Sequence, residues 1–402
     1  MKYVILLGDG MGDYPIDSLG GKTPLEAAKT PNMDWIAGHG EVGSTRTIPD
    51  GCEAGSDTAN LSILGYNPQD VLSGRGPLEA ASLGVKLAPA DVAYRCNLVT
   101  LSIREGTFLM DDYSAGHIST EEARILIEDL DRKIGSDIFR FYPGVSYRHI
   151  MVWRDGKIDV DTTPPHDIIG RPVQEYLDRI KPHKRLLELM QQAALVLKDH
   201  PVNRKRIERG EKPANNVWFW GQGHPLTIPL FKEKTGLSGA MISAVDLLKG
   251  IGVYAGLDVI EVPGATGYLD TNYEGKADSC LEALKKVDFV YLHVEAPDEA
   301  SHGGLLDEKI RAIEAFDERV VGRVLNGLKR FNDFRIMVVT DHYTPISVKT
   351  HTREPVPFAI YSTDGNRSGI PGGFNEKTAN KGIHIKEGFR LIKRLISEQK
   401  TD

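Results

Sequence analysis

The sequence places three aspartates and three histidines just after apolar runs, or in the loops that follow them: Asp9, Asp298, His302, Asp341, His342 and His351. Side chains of these two types bind divalent metals of intermediate softness, such as Mn²⁺ and Zn²⁺. Taken singly, each is better explained as an ordinary loop residue, and the spacing of Asp298 and His302 favours one exposed helical face. Their joint occurrence after successive runs predicts a metal site.

A serine, Ser56 in the segment EAGSDTANLSILGY, is the candidate nucleophile. On its own it is better explained as a helix N-cap, because Ser-Asp before TANLSIL suits a helix start. The residues around it supply no general base. Metal coordination could replace that base by lowering the pKa of the hydroxyl. Seven ligands are too many for one ion and suit two, and paired ions stabilise both oxygens of a phosphoryl displacement. At a helix start, free backbone N–H groups would also bind the phosphate.

The apolar runs that precede these residues are expected to be buried strands. Runs at 2–7, 287–294, 334–341 and 357–362 are continuous rather than alternating, which is typical of a parallel sheet. A helical stripe over 307–330 lies between two of them. This alternation predicts a doubly wound α/β sheet, in which ligands gather at the carboxyl ends of the strands.

The middle of the chain has a different pattern. Strand-like segments beside hairpin-like turns are followed there by helical segments and a basic, polar stretch. A chain of 402 residues is expected to contain two or three domains. We predict a smaller α+β domain over 86–212, inserted into an α/β domain formed by 1–85 and 213–402.

Composition and short motifs argue against several classes of function. The net charge of −7 offers no basic surface for nucleic acid. Cys52, Cys96 and Cys280 are far apart, which argues against a thiolate zinc site or a disulfide framework and suits a reducing cytosol. The N-terminal apolar run is too short for a signal peptide or a membrane span, so we expect a cytoplasmic protein. GDGMGD is a poor dinucleotide motif, because its internal aspartate would repel a pyrophosphate.

The segments LLGDGMGDYP, GSDTANLSILGYNP, HVEAPDEASHGG and DHYTPISVKTHTREPVPF follow one another along nearly the whole chain. Together they resemble the archaeal-type, cofactor-independent phosphoglycerate mutases of the alkaline phosphatase superfamily. The resemblance implies an alkaline-phosphatase-like sheet domain with a smaller inserted domain. It also implies an isomerase that interconverts 2-phosphoglycerate and 3-phosphoglycerate in glycolysis and gluconeogenesis, without 2,3-bisphosphoglycerate and without a nucleotide.

The resemblance assigns roles to the candidate residues. Ser56 would be phosphorylated transiently between two ions, with Mn²⁺ expected first and Mg²⁺, Zn²⁺ or Co²⁺ as other candidates. The implied ligands are Asp9, Ser56, Asp341 and His342 for one ion, and Asp298, His302 and His351 for the other.

In such enzymes the inserted domain holds the glycerate, a small carboxylate, while the phosphate is on the serine. Arginine suits carboxylates and phosphates because its planar fork donates two hydrogen bonds. The candidate substrate-binding residues are Arg75, Arg95, Asp112, His117, Arg148, His149 and His166, with Asp112 as a possible general base. Each could equally belong to a surface or structural ion pair. No nucleic-acid or membrane partner is expected, and the oligomeric state is left open.

Two other functions remain open at this stage. MDDYSAGHISTEEA and YPGVSYRHIMVW also resemble a bacterial branch proposed to be a homoserine kinase, which shares the metal residues. The serine and its ligands therefore imply phosphoryl transfer without fixing the acceptor hydroxyl or the physiological metal. The remaining alternative is a metal-binding regulator that has lost catalysis, and the intact ligand set argues against it.

Overall fold

The strands form two separate sheets, one in each of two units of the chain. The computed structural model describes residues 1–365 and 369–397. Unit 1 comprises Met1–Leu72 together with the chain from Thr227 onwards, and unit 2 comprises Ser73–Leu226. Unit 2 thus begins before, and ends after, the insertion expected over 86–212. None of the helices within the described ranges is long and apolar enough to cross a membrane.

The elements have the following bounds. In chain order the strands are β1 (Lys2–Gly8), β2 (Glu41–Thr45), β3 (Val92–Arg104), β4 (Thr107–Asp112), β5 (Phe139–Tyr142), β6 (Arg148–Trp153), β7 (Asn216–Gly223), β8 (Gly239–Ile242), β9 (Asp258–Ile260), β10 (Phe289–Val294), β11 (Phe334–Val339), β12 (Val356–Ser362) and β13 (Ile383–Ile385). The α-helices are α1 (Pro24–Ala27), α2 (Pro31–His39), α3 (Ser56–Ile63), α4 (Pro68–Val71), α5 (Gly76–Ser82), α6 (Thr120–Ile134), α7 (Gln174–Ile180), α8 (Lys184–Lys198), α9 (Pro201–Glu208), α10 (Phe231–Thr235), α11 (Asp246–Tyr254), α12 (Tyr273–Ala283), α13 (Ala296–Gly303), α14 (Leu306–Ala315), α15 (Arg323–Leu328), α16 (Glu376–Ala379) and α17 (Leu391–Ile396). A π-helical segment, Phe316–Gly322, joins α14 to α15.

The sheet of unit 1 is mixed rather than parallel throughout. Its strand order is β13-β2-β12-β11-β1-β10-β8-β9. Three predicted strands are the adjacent parallel strands β1, β10 and β11. The fourth, β12, is antiparallel to β11, which corrects the expectation of an all-parallel sheet. Because β12 runs the opposite way, residues that precede it, such as His351, reach the edge where β11 ends.

Burial confines polar side chains to the ends of these strands. Every residue of β10 and β11 is buried, and so is β1 after Lys2, as the continuous apolar runs predicted. The helix predicted over 307–330 is α14, the π-helical segment and α15, whose apolar side chains join the same core. Strand interiors of this kind have no room for an unpaired charge, so any chemistry must lie at a sheet edge.

The sheet of unit 2 is antiparallel. Its order is β4-β3-β6-β5, with β7 also paired to β3. The apolar faces of α6 and α8 pack into its core. Two contacts enlarge this unit beyond the predicted bounds: β7 adds a strand beside β3, and Arg95 Nε donates to Glu79 of α5 at 3.0 Å. Both segments lie outside 86–212, and no sequence pattern linked them to β3.

Candidate active site

Three buried aspartates lie at the carboxyl edge of the parallel strands of unit 1. Asp9 directly follows β1, Asp341 lies two residues after β11, and Asp298 lies in the first turn of α13, just after β10. At most 3% of each residue is exposed. Because β1, β10 and β11 are adjacent and parallel, their ends bring the three carboxylates together.

His342 lies at the centre of a first group of side chains. Its Nε2 atom is 3.2 Å from Ser56 Oγ, 3.4 Å from Asp9 Oδ1 and 3.3 Å from Asp341 Oδ2. All four residues are buried. The residues expected to share one ion therefore converge, and they do so through atoms that can bind a metal.

Asp298, His302 and His351 form a second group. His302 Nε2 is 3.1 Å from Asp298 Oδ2 and 3.0 Å from His351 Nε2, and His351 Nε2 is 3.6 Å from Asp298 Oδ1. His302 Nδ1 lies 2.9 Å from the carbonyl oxygen of Lys349 and can donate a hydrogen bond to it, which leaves Nε2 directed at the group. The ring centres of His342 and His351 are 4.0 Å apart, so the two groups adjoin.

Ser56 is the first residue of α3, and Gly55 is the N-cap. The Ser56 hydroxyl instead lies beside His342 Nε2, so the interpretation of Ser56 as the N-cap is wrong. One turn later, Asn60 Nδ2 donates to the Ser56 carbonyl at 2.8 Å and to Asp341 Oδ2 at 3.0 Å. Asn60 thereby ties the first turn of α3 to a carboxylate of the first group.

Gly10 allows two loops of the site to approach each other. Its φ is +60°, and a Cβ atom there would lie 2.5 Å from Asp298 Oδ1 and 2.7 Å from Thr344 Oγ1. Both the backbone conformation and the lack of space therefore require glycine. The glycine in GDGMGD serves this close approach.

His293 is a site residue that sequence reasoning missed. Its Nε2 atom lies 2.8 Å from Asp9 Oδ2 and its Nδ1 atom lies 3.2 Å from Ser243 Oγ. With Asp9 and Asp341 it forms a group whose ligand atoms lie within 4.8 Å of one another. Because both ring nitrogens already have partners, His293 is better placed to orient Asp9 than to bind an ion. The available signal was a histidine inside the otherwise apolar run VDFVYLHV.

The crowded carboxylates favour bound cations. Burial, followed by the charge of Asp341, raises the pKa of Asp9 well above its usual value. Burial, followed by the charge of Asp298, raises the pKa of Glu295 to about 8. Within the described ranges, Asp9 Oδ1 and Glu295 Oε2 are buried without a hydrogen-bond partner. Carboxylates that are costly to ionise alone fit a site that holds divalent ions.

The second group carries its own positive charge in the protein alone. The hydrogen bond to Asp298 raises the pKa of His302 to about 9. Burial alone would raise the pKa of Asp298, but hydrogen bonds from His302 and His351 hold it well below its usual value. Burial lowers the pKa of His342. A proton on His302 thus supplies the charge that a metal ion would supply on binding.

In unit 2, several predicted substrate residues lie together in what we call the basic cluster: Arg75, Arg95, His117, Arg148 and His166, with Tyr113, Tyr147 and Trp220. The Arg95 guanidinium lies 3.9 Å from the ring centre of Trp220, and that ring is 5.3 Å from His166. Burial lowers the pKa of Arg95; the charge of Glu79 opposes this, and the nearby charges of Arg75 and Arg148 lower the pKa further. The cluster is therefore a place where positive charge accumulates.

Aromatic rings connect the two sides of the basic cluster. The Tyr113 ring is 6.1 Å from His166, 6.3 Å from His117 and 5.5 Å from Tyr147. The Arg148 guanidinium lies over the Tyr147 ring at 5.3 Å. Contacts of this kind hold the guanidinium group and the histidine rings in fixed orientations.

Two predicted substrate residues have other partners. His149 is buried, and its Nδ1 atom accepts a hydrogen bond from the Gly144 amide at 3.0 Å. Asp112 accepts hydrogen bonds from the Ser114 amide and hydroxyl. Burial opposes the effect, but these bonds and the charge of Lys212 lower the pKa of Asp112. A carboxylate stabilised in this way is a weak base. Because His149 is buried and Asp112 is engaged by Ser114, neither residue is included in the basic cluster.

The protonation of His149 predicts a dependence of stability on pH. Burial lowers the pKa of this histidine from 6.5 to about 3, so between these values the unfolded chain binds a proton that the folded chain does not. Stability from this residue is present above pH 6.5 and is lost as the pH falls. Between pH 7 and pH 5 the loss should be about 2 kcal/mol.

Parallel denaturation of the parent and His149→Gln with EDTA present measures this loss. Glutamine can still accept the Gly144 hydrogen bond but cannot bind a proton, so the parent should lose more stability on acidification than the variant. Equal losses in the two proteins would contradict the prediction.

Comparison with known proteins shows which family the chain belongs to. The sequence profile of the family described as 2,3-bisphosphoglycerate-independent phosphoglycerate mutase matches residues 37–203. A protein of that name from Methanosarcina barkeri is 57% identical over 384 residues, which cover 95% of this chain and 96% of the relative. A probable enzyme of the same name from Geobacter sulfurreducens is 54% identical over 397 residues, covering 98% and 100%.

Solved structures show the same architecture. A protein from Pyrococcus horikoshii superposes with a TM-score of 0.84 at 31% identity, covering 100% of this chain and 99% of that one. The cofactor-independent phosphoglycerate mutase from Thermoplasma acidophilum superposes with a TM-score of 0.67 at 28% identity, covering 98% and 99%.

The fold and the site define a class of α/β proteins in which a serine at the start of a helix lies beside aspartates and histidines at the strand ends of a sheet. The relatives narrow this class, since they are more than half identical to the chain along almost its whole length. The chain belongs to the family of 2,3-bisphosphoglycerate-independent phosphoglycerate mutases.

Proposed function

We propose that this protein interconverts 2-phosphoglycerate and 3-phosphoglycerate, the mutase step of glycolysis and gluconeogenesis, through a phosphoserine at Ser56. The observation that carries the proposal is the position of Ser56 Oγ, 3.2 Å from His342 Nε2 within a buried group of potential metal ligands. The names of the relatives support the choice of substrate. A cytoplasmic location stays a prediction from the sequence.

We infer that the two groups bind two divalent ions, with Mn²⁺ as the expected metal. The donor set of carboxylates, imidazoles and one hydroxyl suits that ion, and the unpartnered Asp9 Oδ1 fits a ligand atom. The proposed ligands are Asp9, Ser56, Asp341 and His342 for one ion and Asp298, His302 and His351 for the other. When bound, the ions would lower the pKa of the serine hydroxyl and neutralise the phosphoryl oxygens.

The reaction then needs two displacements at phosphorus. In the first, a bond forms between Ser56 Oγ and phosphorus while the bond to the glycerate oxygen breaks. The proton that leaves Ser56 balances the one gained by the released glycerate hydroxyl. In the second, the other glycerate hydroxyl attacks the phosphoserine and Ser56 recovers a proton. Because Ser56 starts α3, the positive end of that helix would lie beside the phosphate in both steps.

The basic cluster is the proposed site for the anionic substrate. Arg95 is paired with Glu79, and the nearby Arg75 and Arg148 carry further positive charge. Arg148 is exposed and held over Tyr147, which keeps its fork available for a carboxylate or phosphate. His117 and His166, which lie on the Tyr113 ring, add hydrogen-bonding nitrogens beside it.

Removing the Arg148 fork should weaken substrate use without affecting the metal. In Arg148→Ala, kcat/KM for 3-phosphoglycerate should fall by ~10- to 100-fold, because charge-assisted hydrogen bonds to the substrate are lost. Arg148→Lys should recover only part of this, since an ammonium keeps the charge but not the fork. Steady-state kinetics and metal analysis of each variant measure the two quantities.

Arg140 supplies the matched control on the same sheet. It is an exposed arginine of β5 whose guanidinium donates to Asp131 at 3.0 and 2.8 Å. Arg140→Ala should leave kcat/KM within about twofold of the parent, as is usual for surface pairs. A loss in Arg140→Ala as large as that in Arg148→Ala would contradict the proposed role of Arg148.

The function itself is tested with 3-phosphoglycerate and Mn²⁺, with no 2,3-bisphosphoglycerate added. Phosphorus NMR should show 2-phosphoglycerate forming until the two isomers reach equilibrium. A protein that binds metal but makes no 2-phosphoglycerate at any metal loading would contradict the proposal. Homoserine with a phosphoryl donor, tested in parallel, should give no O-phosphohomoserine.

A further inference from the structure

The buried hydroxyl of Thr344 lies between the two groups of metal ligands. Its Oγ1 atom donates to Asp298 Oδ1 at 2.5 Å and lies 3.1 Å from His342 Nδ1. Thr344 and His342 have no exposed surface, and only 3% of Asp298 is exposed. One hydroxyl thus contacts a ligand of each proposed ion.

Proton counting fixes the direction of both hydrogen bonds. A hydroxyl has one proton, and an ionised carboxylate can only accept. If Thr344 donates to Asp298, it must accept from His342, so His342 Nδ1 carries the imidazole proton. The Nε2 lone pair is then directed at the side where Ser56, Asp9 and Asp341 lie within 3.4 Å.

The loop that carries Thr344 is held on its other side. The Lys309 ammonium donates to the Thr344 carbonyl at 3.0 Å and to Asp13 Oδ2 at 2.8 Å, and the Thr344 amide donates to Gly12 O at 3.1 Å. Lys309 is itself fully buried. These contacts fix the backbone of Thr344, so its side chain starts from a fixed position beside Asp298 and His342.

We propose that Thr344 is a positioning residue that holds His342 in the tautomer able to bind a metal through Nε2 and that orients Asp298 of the other group at the same time. Neighbours of this kind set the ring orientation and basicity of a metal-binding histidine. The inference rests on the proposed metal site and adds a physical link between its two halves. Removing this one hydroxyl should therefore lower the affinity of the protein for both ions.

Valine and serine substitutions separate the hydroxyl from the shape of the side chain. Thr344→Val keeps the shape and loses the hydroxyl, so Mn²⁺ affinity measured against a competing chelator should fall about 10- to 100-fold for both ions. Thr344→Ser keeps the hydroxyl and should remain within about threefold of the parent. Ser62→Ala is the control, because the Ser62 hydroxyl is buried in α3 with no hydrogen-bond partner in the described part of the chain.

A spectroscopic measurement on the parent protein needs no Thr344 variant and no turnover. In metal-free protein with ¹⁵N-labelled histidine, the His342 signals, assigned by their loss in His342→Gln, should show the proton on Nδ1. A proton on Nε2, unchanged Mn²⁺ affinity in Thr344→Val, or a serine variant as weak as the valine variant would each overturn the proposal. Mutase activity of the parent preparation is measured separately, so failure of the proposed function is distinguishable from failure of this inference.

Discussion

Replacing Ser56 by alanine should abolish mutase turnover, with a fall in kcat of at least about 10⁴-fold. The hydroxyl lies 3.2 Å from His342 Nε2 and is the only hydroxyl among the proposed ligands. Alanine removes one neutral ligand and leaves the carboxylates and imidazoles in place, so the variant should fold and retain metal. Turnover, metal content and circular dichroism of the purified variant check the three parts of this result.

Ser62→Ala is also the control for this substitution, since it removes a buried hydroxyl nearly two turns further along the same helix. Its kcat should stay close to that of the parent. An active Ser56→Ala variant, or one that loses activity only because it loses metal, would contradict the assignment of Ser56 as nucleophile.

Asp9→Asn should have opposite effects on the metal-bound and metal-free protein. The Asp9 carboxylate lies close to other carboxylates, and burial and the charge of Asp341 raise its pKa. An amide removes that repulsion and can still accept the hydrogen bond from His293, so the metal-free variant should be at least as stable as the parent. Mn²⁺ affinity should fall by at least about 100-fold, and activity should fall with it.

Thermal unfolding with EDTA and with Mn²⁺ separates these effects. The parent should be stabilised strongly by Mn²⁺, whereas Asp9→Asn should be stabilised little. Glu295→Gln is the matched control, because Glu295 is a half-buried neighbour outside the proposed ligand set, and this variant should keep its metal. Full Mn²⁺ stabilisation of Asp9→Asn would show that Asp9 is not a ligand.

The sequence was sufficient for the parts of the site that depend on chain order. Asp9, Asp298 and Asp341 follow runs whose continuous apolar character marked them as buried parallel strands, and adjacent parallel strands end at one edge. His351 lies at that edge for a different reason, because the strand after it is antiparallel. The direction of β12 depends on its pairing with β11, which no local pattern reveals.

The residues that were missed act through contacts between distant segments. His293 lies inside an apolar strand and contacts Asp9, 284 positions away in the chain. Asn60 joins the start of α3 to Asp341 across 281 positions. Thr344 differs from other loop threonines only in what surrounds its hydroxyl. The composition of a segment carries no signal for such contacts, whereas a strand end or a ligand-type side chain does.

Only some members of the basic cluster could be predicted, because its assembly also depends on contacts between distant segments. Arg95 and His166 were singled out by residue type and Arg148 also by its Ser/Tyr context, and the structure places all three against aromatic rings. His149 matched them in type but faces the core of unit 2, because alternation along β6 turns its side chain the other way from Arg148.

The phosphoserine can be observed directly. The Mn²⁺-loaded protein is mixed with 3-phosphoglycerate, quenched in acid within a single turnover, digested and analysed by mass spectrometry. We expect phosphate on the peptide that contains Ser56, at a level that rises and falls within the time of product formation. Product that forms while Ser56 is never phosphorylated, or phosphate that appears on another residue instead, would contradict the proposed mechanism.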